Sequence, residues 1–281
     1  MADKSKNKIK VAFQGEPGAY SEEAGLSFFG NKIQTIPYHT FSEVFEMVEK
    51  NKVQYGVIPI ENSLEGTIGQ NYDLLLKSNL KIFGELILKI CHCLISNKDQ
   101  KIDSIKRVYS HPQALGQCRT FLEKRKLEGI PVYNTAGSVK MLKEGKIEKE
   151  AGVIASERAA KFYGMKILKK GIETNFYNFT RFFVISKEKP KKAKKNKTSI
   201  VFSAKHIPGA LFKVLEVFAK EKINLTKIES RPIVGRPWEY NFYLDFEGYI
   251  EEEKIKKVLK ESKKNTLFLK VLGSYPLAKK Y

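Results

Sequence analysis

"SKEKPKKAKKNK", Ser186 to Lys197, is the stretch that divides this chain. With seven lysines, one proline and no large apolar side chain it has nothing to bury, so it reads as a solvated linker and sets a domain boundary near residue 190. The sequence has a different grain on each side of it. Upstream, short apolar runs, "KVAFQG" (10–15), "YGVIPIE" (55–61), "RVYSHP" (107–112), "PVYNT" (131–135) and "AGVIAS" (151–156), alternate with segments of helical period such as Ala114 to Phe121 and Val139 to Leu142. That alternation is an α/β layout, in which ligands meet the polar residues that close the strands. Downstream, "TSIVFSA" (198–204), "PGALFKVLEVFAKEKI" (208–223), "NLTKIESRPIV" (224–234), "EYNFYLDFEG" (239–248), "EEEKIKKVLKES" (251–262) and "LFLKVLGSYP" (267–276) read strand, helix, strand, strand, helix, strand. This is the ferredoxin-like βαββαβ order, with Leu211, Leu215 and Phe218 on one face of its first helix.

Composition narrows the function classes. A chain of 281 residues with 42% hydrophobic content fills real cores, and no apolar run reaches the roughly 18 residues of a membrane span. The N-terminal "MADKSKNKIK" lacks the apolar core of a signal peptide. Three unevenly spaced cysteines make no disulfide framework, and a cytoplasmic location is expected. Cys91, His92 and Cys93 are not expected to form a metal site, because neighbouring residues of a strand face opposite environments. The net charge of +20 raises nucleic acid as a partner, but only seven of the 51 basic residues are arginine and the lysine run has no aromatic residue to stack a base. No nucleic acid, membrane or cofactor is expected, and the basicity favours anionic small molecules.

Five strand ends collect the polar candidates: "GEPGAYSEEA" (15–24), "PIENSLEGTIGQ" (59–70), "SHPQALGQC" (110–118), "NTAGSV" (134–139) and "NFTRF" (178–182). Hydroxyls and amides dominate them, and they hold no P-loop, no GxGxxG and no zinc spacing. In "GIETNFYNFTRFFVI" (171–185), Thr180 and Arg181 stand side by side before an apolar strand, where an arginine asks for an anionic partner. Such a neutral cleft with one guanidinium suits a small carboxylated substrate.

In order and spacing, the blocks "GEPGAYS", "GVIPIENSLEGTI", "SHPQALGQC", "GVIASERAAKFYGMKIL" and "NFTRF", followed by "PGALFKVL" and "IESRP", resemble the prephenate dehydratases over residues 9 to 276. The resemblance implies a two-lobed catalytic domain like the type II periplasmic binding proteins (8–187), the lysine-rich linker (188–197) and a C-terminal ACT domain (198–277). It implies conversion of prephenate to phenylpyruvate, water and carbon dioxide, with regulation by L-phenylalanine; the alternatives are an arogenate dehydratase or a non-enzymatic amino-acid-binding regulator. Thr180 then assists departure of the ring hydroxyl, with Asn62, Gln117 and Ser110 around it as catalytic residues. Arg181 is expected to hold the pyruvyl carboxylate, Glu61 to orient it, and Ser63, Ser21, Thr135 and Phe182 to complete the substrate site. Ser110 is expected to act as an anion donor beside a helix start, while His111, followed by proline, is as fit to hold the turn. Lys140, at a position acidic in some relatives, is expected near the surface or behind the site. In the small domain Gly209, Ala210, Leu211 and Asn224, with Glu229, Ser230, Arg231 and Pro232, are the expected phenylalanine site, between two copies of the module. A homodimer or homotetramer follows.

Overall fold

The computed structural model describes residues 8–205 and 207–278. The described residues form two compact units, 8–67 with 87–182, and 68–86 with 183–278. This division differs from the sequence boundary near residue 190: one helix and the first part of one strand fold with the C-terminal residues.

The first unit has two sheets. In one, Lys10–Gln14 lies between Gln34–Tyr38 and Tyr55–Asn62, parallel to both. Its residues Val11, Ala12 and Phe13 are buried outright, as are Val57, Ile58 and Ile60 of its neighbour, because helices Tyr20–Phe29 and Phe41–Glu49 pack on this sheet. The second of those helices starts in a capping box, Thr40 with Glu43. Next in order comes Phe179–Ser186, whose residues to Phe182 belong to this unit. The other sheet runs Lys166–Lys170, Cys93–Ser96, Gly152–Ala155, Arg107–Ser110, Glu128–Pro131, with an apolar cluster on each face. The chain passes between the two lobes at residues 90–92 and returns at 172–178. The crossings are bonded to each other, Ile90 N–H to the Asn178 carbonyl at 2.8 Å and Ile172 N–H to the His92 carbonyl at 3.2 Å. This is the two-lobed arrangement expected.

Two local readings change. The strand expected at "PVYNT" lies earlier, at Glu128–Pro131, because Asn134 caps the next helix by accepting the Gly137 N–H. The helix expected over Ala114 to Phe121 is two short ones, Pro112–Gln117 and Arg119–Lys124, meeting at Cys118.

The second unit carries the βαββαβ module with every element in its expected order. Its sheet runs Leu225–Ile233, Arg236–Glu247, Asn196–Ala204, Thr266–Pro276, antiparallel throughout. Helices Ala210–Lys220 and Glu253–Lys264 bury Val214, Phe218, Ile255, Val258 and Leu259 against Ile200, Phe202, Leu244 and Phe246. Val214 and Phe218 lead the first helix's apolar face, while Leu211 and Leu215 flank it, only partly buried.

Residues 68–86 bring this unit helix Gly69–Lys77 and a strand segment. The Tyr72 and Tyr243 rings pack at 4.6 Å, and the Lys270 ammonium donates to the carbonyls of Leu75, Leu76 and Ser78 at 3.1, 2.6 and 2.6 Å, where the helix ends with unpaired acceptors. The lysine run gives up its last two residues to a strand: Asn196 and Lys197 pair with Pro276 and Tyr275, and the Lys197 ammonium meets buried Glu85 at 2.8 Å. The opposite charge is what lets a lysine of that run be buried.

Candidate active site

The strand Tyr55–Asn62 ends in a tight turn that Asn62 itself makes. The Asn62 side-chain oxygen Oδ1 accepts the backbone N–H groups of Leu64 and Glu65 at 3.0 and 3.1 Å, an Asx-type turn. Its amide nitrogen therefore faces the other way. It donates to Asn178 Oδ1 at 2.7 Å, Thr180 Oγ1 at 3.0 Å and the Phe179 carbonyl at 3.1 Å. Asn178 in turn donates to Gln117 Oε1 at 2.8 Å, and His92 Nε2 lies 2.9 Å from the same oxygen. Asn62, Gln117 and Thr180, three of the expected catalytic residues, thus belong to one hydrogen-bonded constellation with Asn178 and His92.

Two donors of this constellation remain unassigned among the described residues. Thr180 accepts a bond from Asn62, but its own O–H meets no acceptor, and Gln117 has its oxygen doubly used while its NH2 meets none. Ser21, 8% exposed near the start of helix Tyr20–Phe29, also makes no side-chain hydrogen bond to described residues.

Arg181 is not on this face. Successive strand residues project to opposite sides, so Thr180 with Asn62 occupies one face and Arg181 with Glu61 the other, Nη1 to Oε2 at 3.8 Å. Three other expected site residues are engaged in the scaffold. Ser110 is fully buried and donates to the Ile154 carbonyl at 2.7 Å, which binds one strand to its neighbour and leaves the residue no exposure to an anion. Phe182, 1% exposed, fills the core two residues beyond Thr180. The Ser63 hydroxyl donates to the Tyr177 carbonyl at 2.8 Å and accepts the Phe179 N–H at 2.9 Å, tying the turn to the return crossing. Thr135 opens helix Thr135–Lys143, but the cap is Asn134. His111 caps helix Pro112–Gln117 through Nδ1, the turn-holding alternative.

The lobes meet at Gly18. A Cβ built there would lie 2.4 Å from the Ala159 Cα, and φ is +91°, so only glycine allows this approach. Ser156 donates to the Gly18 carbonyl at 2.6 Å and caps its own helix by accepting the Ala159 N–H. The Glu22 carboxylate, 4% exposed, receives the Gly18 N–H at 2.7 Å, the Thr35 hydroxyl at 2.7 Å and Arg158 at 2.9 Å. Burial alone would raise its pKa, but these three donors together hold it below the ordinary carboxylate range. Lys140 reaches Glu16 at 3.1 Å beside a cleft of about 240 Å³ lined by Gln14, Glu16, His39 and Asn134.

His92 is 2% exposed, and burial pushes its pKa down against the raising effects of Gln117 and Glu173. Burial also pushes the Cys93 thiol up to about 12, so it stays a neutral core group. His92 and Asn178 are the residues that sequence reading passed over. The spacing of Asn178 from Thr180 carried a signal, since residues two apart on a strand share a face.

In the second unit, Gly209 precedes helix Ala210–Lys220 with φ +77°, and nothing lies within 4 Å of a Cβ built on it. Ala210 is buried, Leu211 half-buried and Asn224 exposed. Glu229, Ser230, Arg231 and Pro232 lie on the sheet's edge strand. Arg231 is already paired: it holds Asp73 by two bonds, 3.1 and 2.8 Å, and its guanidinium lies where Gly69 would carry a side chain.

The family model described as prephenate dehydratase matches residues 11–190, and the ACT domain model matches 198–263. A bifunctional chorismate mutase/prephenate dehydratase of Aquifex aeolicus is 45% identical over 271 residues, 96% of this chain and 74% of that protein. An arogenate dehydratase/prephenate dehydratase of Arabidopsis thaliana is 44% identical over 282 residues, again 96% and 74%. Among solved structures, a prephenate dehydratase from Arthrobacter aurescens in complex with L-Phe superposes with a TM-score of 0.88 at 27% identity, covering 96% of this chain and 90% of that one.

Proposed function

The chain belongs to the prephenate dehydratase family, and we propose that it converts prephenate to phenylpyruvate, carbon dioxide and water under inhibition by L-phenylalanine. The observation that carries this reading is the Thr180 hydroxyl, fixed as an acceptor for Asn62 and left with a proton to give. In the reaction the ring carboxylate leaves as CO2, its C–C electron pair enters the ring, and the para hydroxyl leaves with one added proton as water. The ring gains aromaticity, so the drive lies in the substrate. The protein has to place it and supply that proton.

Thr180 is too weak an acid to release a free proton, so its part is a preorganised hydrogen bond to the departing oxygen: the hydroxyl gives its proton as water leaves and is reprotonated from solvent. The Gln117 NH2 is a second donor of the same constellation. Asn62 fixes both: it donates to Thr180 directly and reaches Gln117 through Asn178. We assign the pyruvyl carboxylate to Arg181, for which it competes with Glu61. The pyruvyl arm and the leaving hydroxyl are para on the ring, and an extended substrate of that shape suits groups that stand on opposite faces of a strand end. Pairing Arg181 with the departing carboxylate instead would stabilise the ground state.

The relative from Arabidopsis thaliana bears both activities in its name, and arogenate, with an amine in place of the keto group, is the second substrate to try. For the effector, the open space at Gly209 and the positive end of the helix Ala210–Lys220 suit a carboxylate, although the Ala210 N–H is already bonded to the Ile207 carbonyl at 3.2 Å. The solved relative in complex with L-Phe supports that choice. Association into a dimer or tetramer remains part of this proposal. Turnover of both substrates, assayed with and without L-phenylalanine, tests the reading.

A further inference from the structure

The hydrogen-bond chain of the site has a direction, and that direction is set far from the reacting groups. Two backbone N–H groups, of Leu64 and Glu65, require an oxygen from Asn62. That choice turns the Asn62 nitrogen to Asn178 Oδ1, the Asn178 nitrogen to Gln117 Oε1, and leaves Gln117 Oε1 facing His92 Nε2. An amide oxygen cannot donate, so Nε2 must carry the imidazole proton.

The other end of the ring is held too. His92 Nδ1 lies 3.0 Å from the Tyr20 hydroxyl, which stands 2.8 Å from the Cys91 carbonyl. The Tyr20 ring meets the imidazole edge-on, centroids 5.7 Å apart. The His92 backbone is pinned by its N–H to Glu173 at 2.9 Å and by its carbonyl to Ile172. In the neutral ring the Nε2 proton satisfies Gln117, and the single Tyr20 proton is divided between the Cys91 carbonyl, to which it donates, and the unprotonated Nδ1.

We infer that Tyr20 and His92 are positioning residues for this site: the Gln117 oxygen at one end of the ring and the Tyr20 hydroxyl facing Nδ1 at the other together select the Nε2–H tautomer of His92, whose N–H locks the Gln117 amide so that its NH2, not its oxygen, is offered to substrate. This rests on the dehydratase reading for its catalytic consequence but not for its geometry. A turned Gln117 would present an acceptor to the departing hydroxyl, and the site would lose one of its two donors. His92 acts here without exchanging a proton, which separates it from a general base.

Two measurements on the full chain test this. The first is 15N NMR of the four histidines, with the His92 resonances assigned from His92→Gln. The expected result is a slowly exchanging Nε2–H with an unprotonated Nδ1 at neutral pH, and loss of that protection in Tyr20→Phe. A proton on Nδ1 and none on Nε2 overturns the inference. The second is turnover. His92→Leu should lower kcat by about 10- to 100-fold with a smaller change in KM, as misplacement of a catalytic amide does. His92→Gln, which keeps an N–H donor but cannot accept and pass on a proton, should recover most of that loss. Equal loss in the two variants would make the imidazole a proton carrier, and no loss in either would make the chain irrelevant; both overturn the inference. Should the wild type turn over neither prephenate nor arogenate, the functional reading fails, while the NMR result still decides the tautomer.

Discussion

Replacing Asn62 by aspartate changes one nitrogen for one oxygen and tests whether the direction of the hydrogen-bond chain matters. In Asn62→Asp the turn survives, because a carboxylate accepts the Leu64 and Glu65 N–H groups as the amide oxygen does. The other oxygen then faces Asn178 Oδ1, the Phe179 carbonyl and Thr180 Oγ1, at 2.7, 3.1 and 3.0 Å in the native chain, with no proton to give. Asn178 can turn its NH2 inward, but Gln117 must then turn as well and meets the His92 Nε2–H with an N–H of its own. Either one buried group ends unsatisfied, at a cost of about 1–3 kcal/mol, or the imidazole proton moves to Nδ1 opposite the Tyr20 oxygen; in both cases the melting point should fall by no more than a few degrees without loss of the fold. The catalytic effect should be larger. The Thr180 O–H acquires a carboxylate to donate to and is drawn away from substrate, so kcat should fall by about 10²–10⁴. Phenylpyruvate release and thermal unfolding are measured on the same preparation. Activity within several-fold of wild type, with the fold intact, would refute the directional argument.

Gly18→Ala should be destabilising by roughly 1–3 kcal/mol, the usual range for overpacking, because its Cβ collides with the Ala159 backbone where the lobes close; an unchanged unfolding midpoint would contradict that closure. Glu22 gives a pH dependence of defined sign: its folded pKa is depressed, so its stabilising effect is present above the unfolded carboxylate range near pH 4.5 and is lost as pH falls through the folded value. The loss of stability on acidification should be shallower in Glu22→Gln than in the wild type. Lys270→Met removes the ammonium that caps helix Gly69–Lys77 and should cost on the order of 1–2 kcal/mol, read by denaturant unfolding.

Much of this was legible in the sequence where the signal is local. The six elements of the small domain follow from hydrophobic period, and strand ends pick out Asn62 and Thr180, which the fold brings within hydrogen-bond reach at 3.0 Å. The unread part depends on partners distant along the chain. Ser110 looks like an anion donor until Ile154, 44 residues on, takes its proton. Arg231 looks like a ligand residue until Asp73, 158 residues away, holds it. His92 and Tyr20 are 72 residues apart, and nothing in "CHC" or "GAYS" announces the other. Lys197 belongs to a solvated run by composition and to a buried strand by its contact with Glu85. Thr180 and Arg181 stand side by side in the sequence, but neighbours on a strand face apart.

The most direct test of the central claim is release of phenylpyruvate from prephenate by the purified chain and its Thr180→Ala variant, with arogenate as the parallel substrate. The account predicts turnover of prephenate by the wild type, suppressed by L-phenylalanine, and a fall of about 10²–10⁴ in kcat for the folded variant. Full activity in folded Thr180→Ala would contradict the role of the hydroxyl, and no turnover of either substrate by the wild type would contradict the assignment of the reaction.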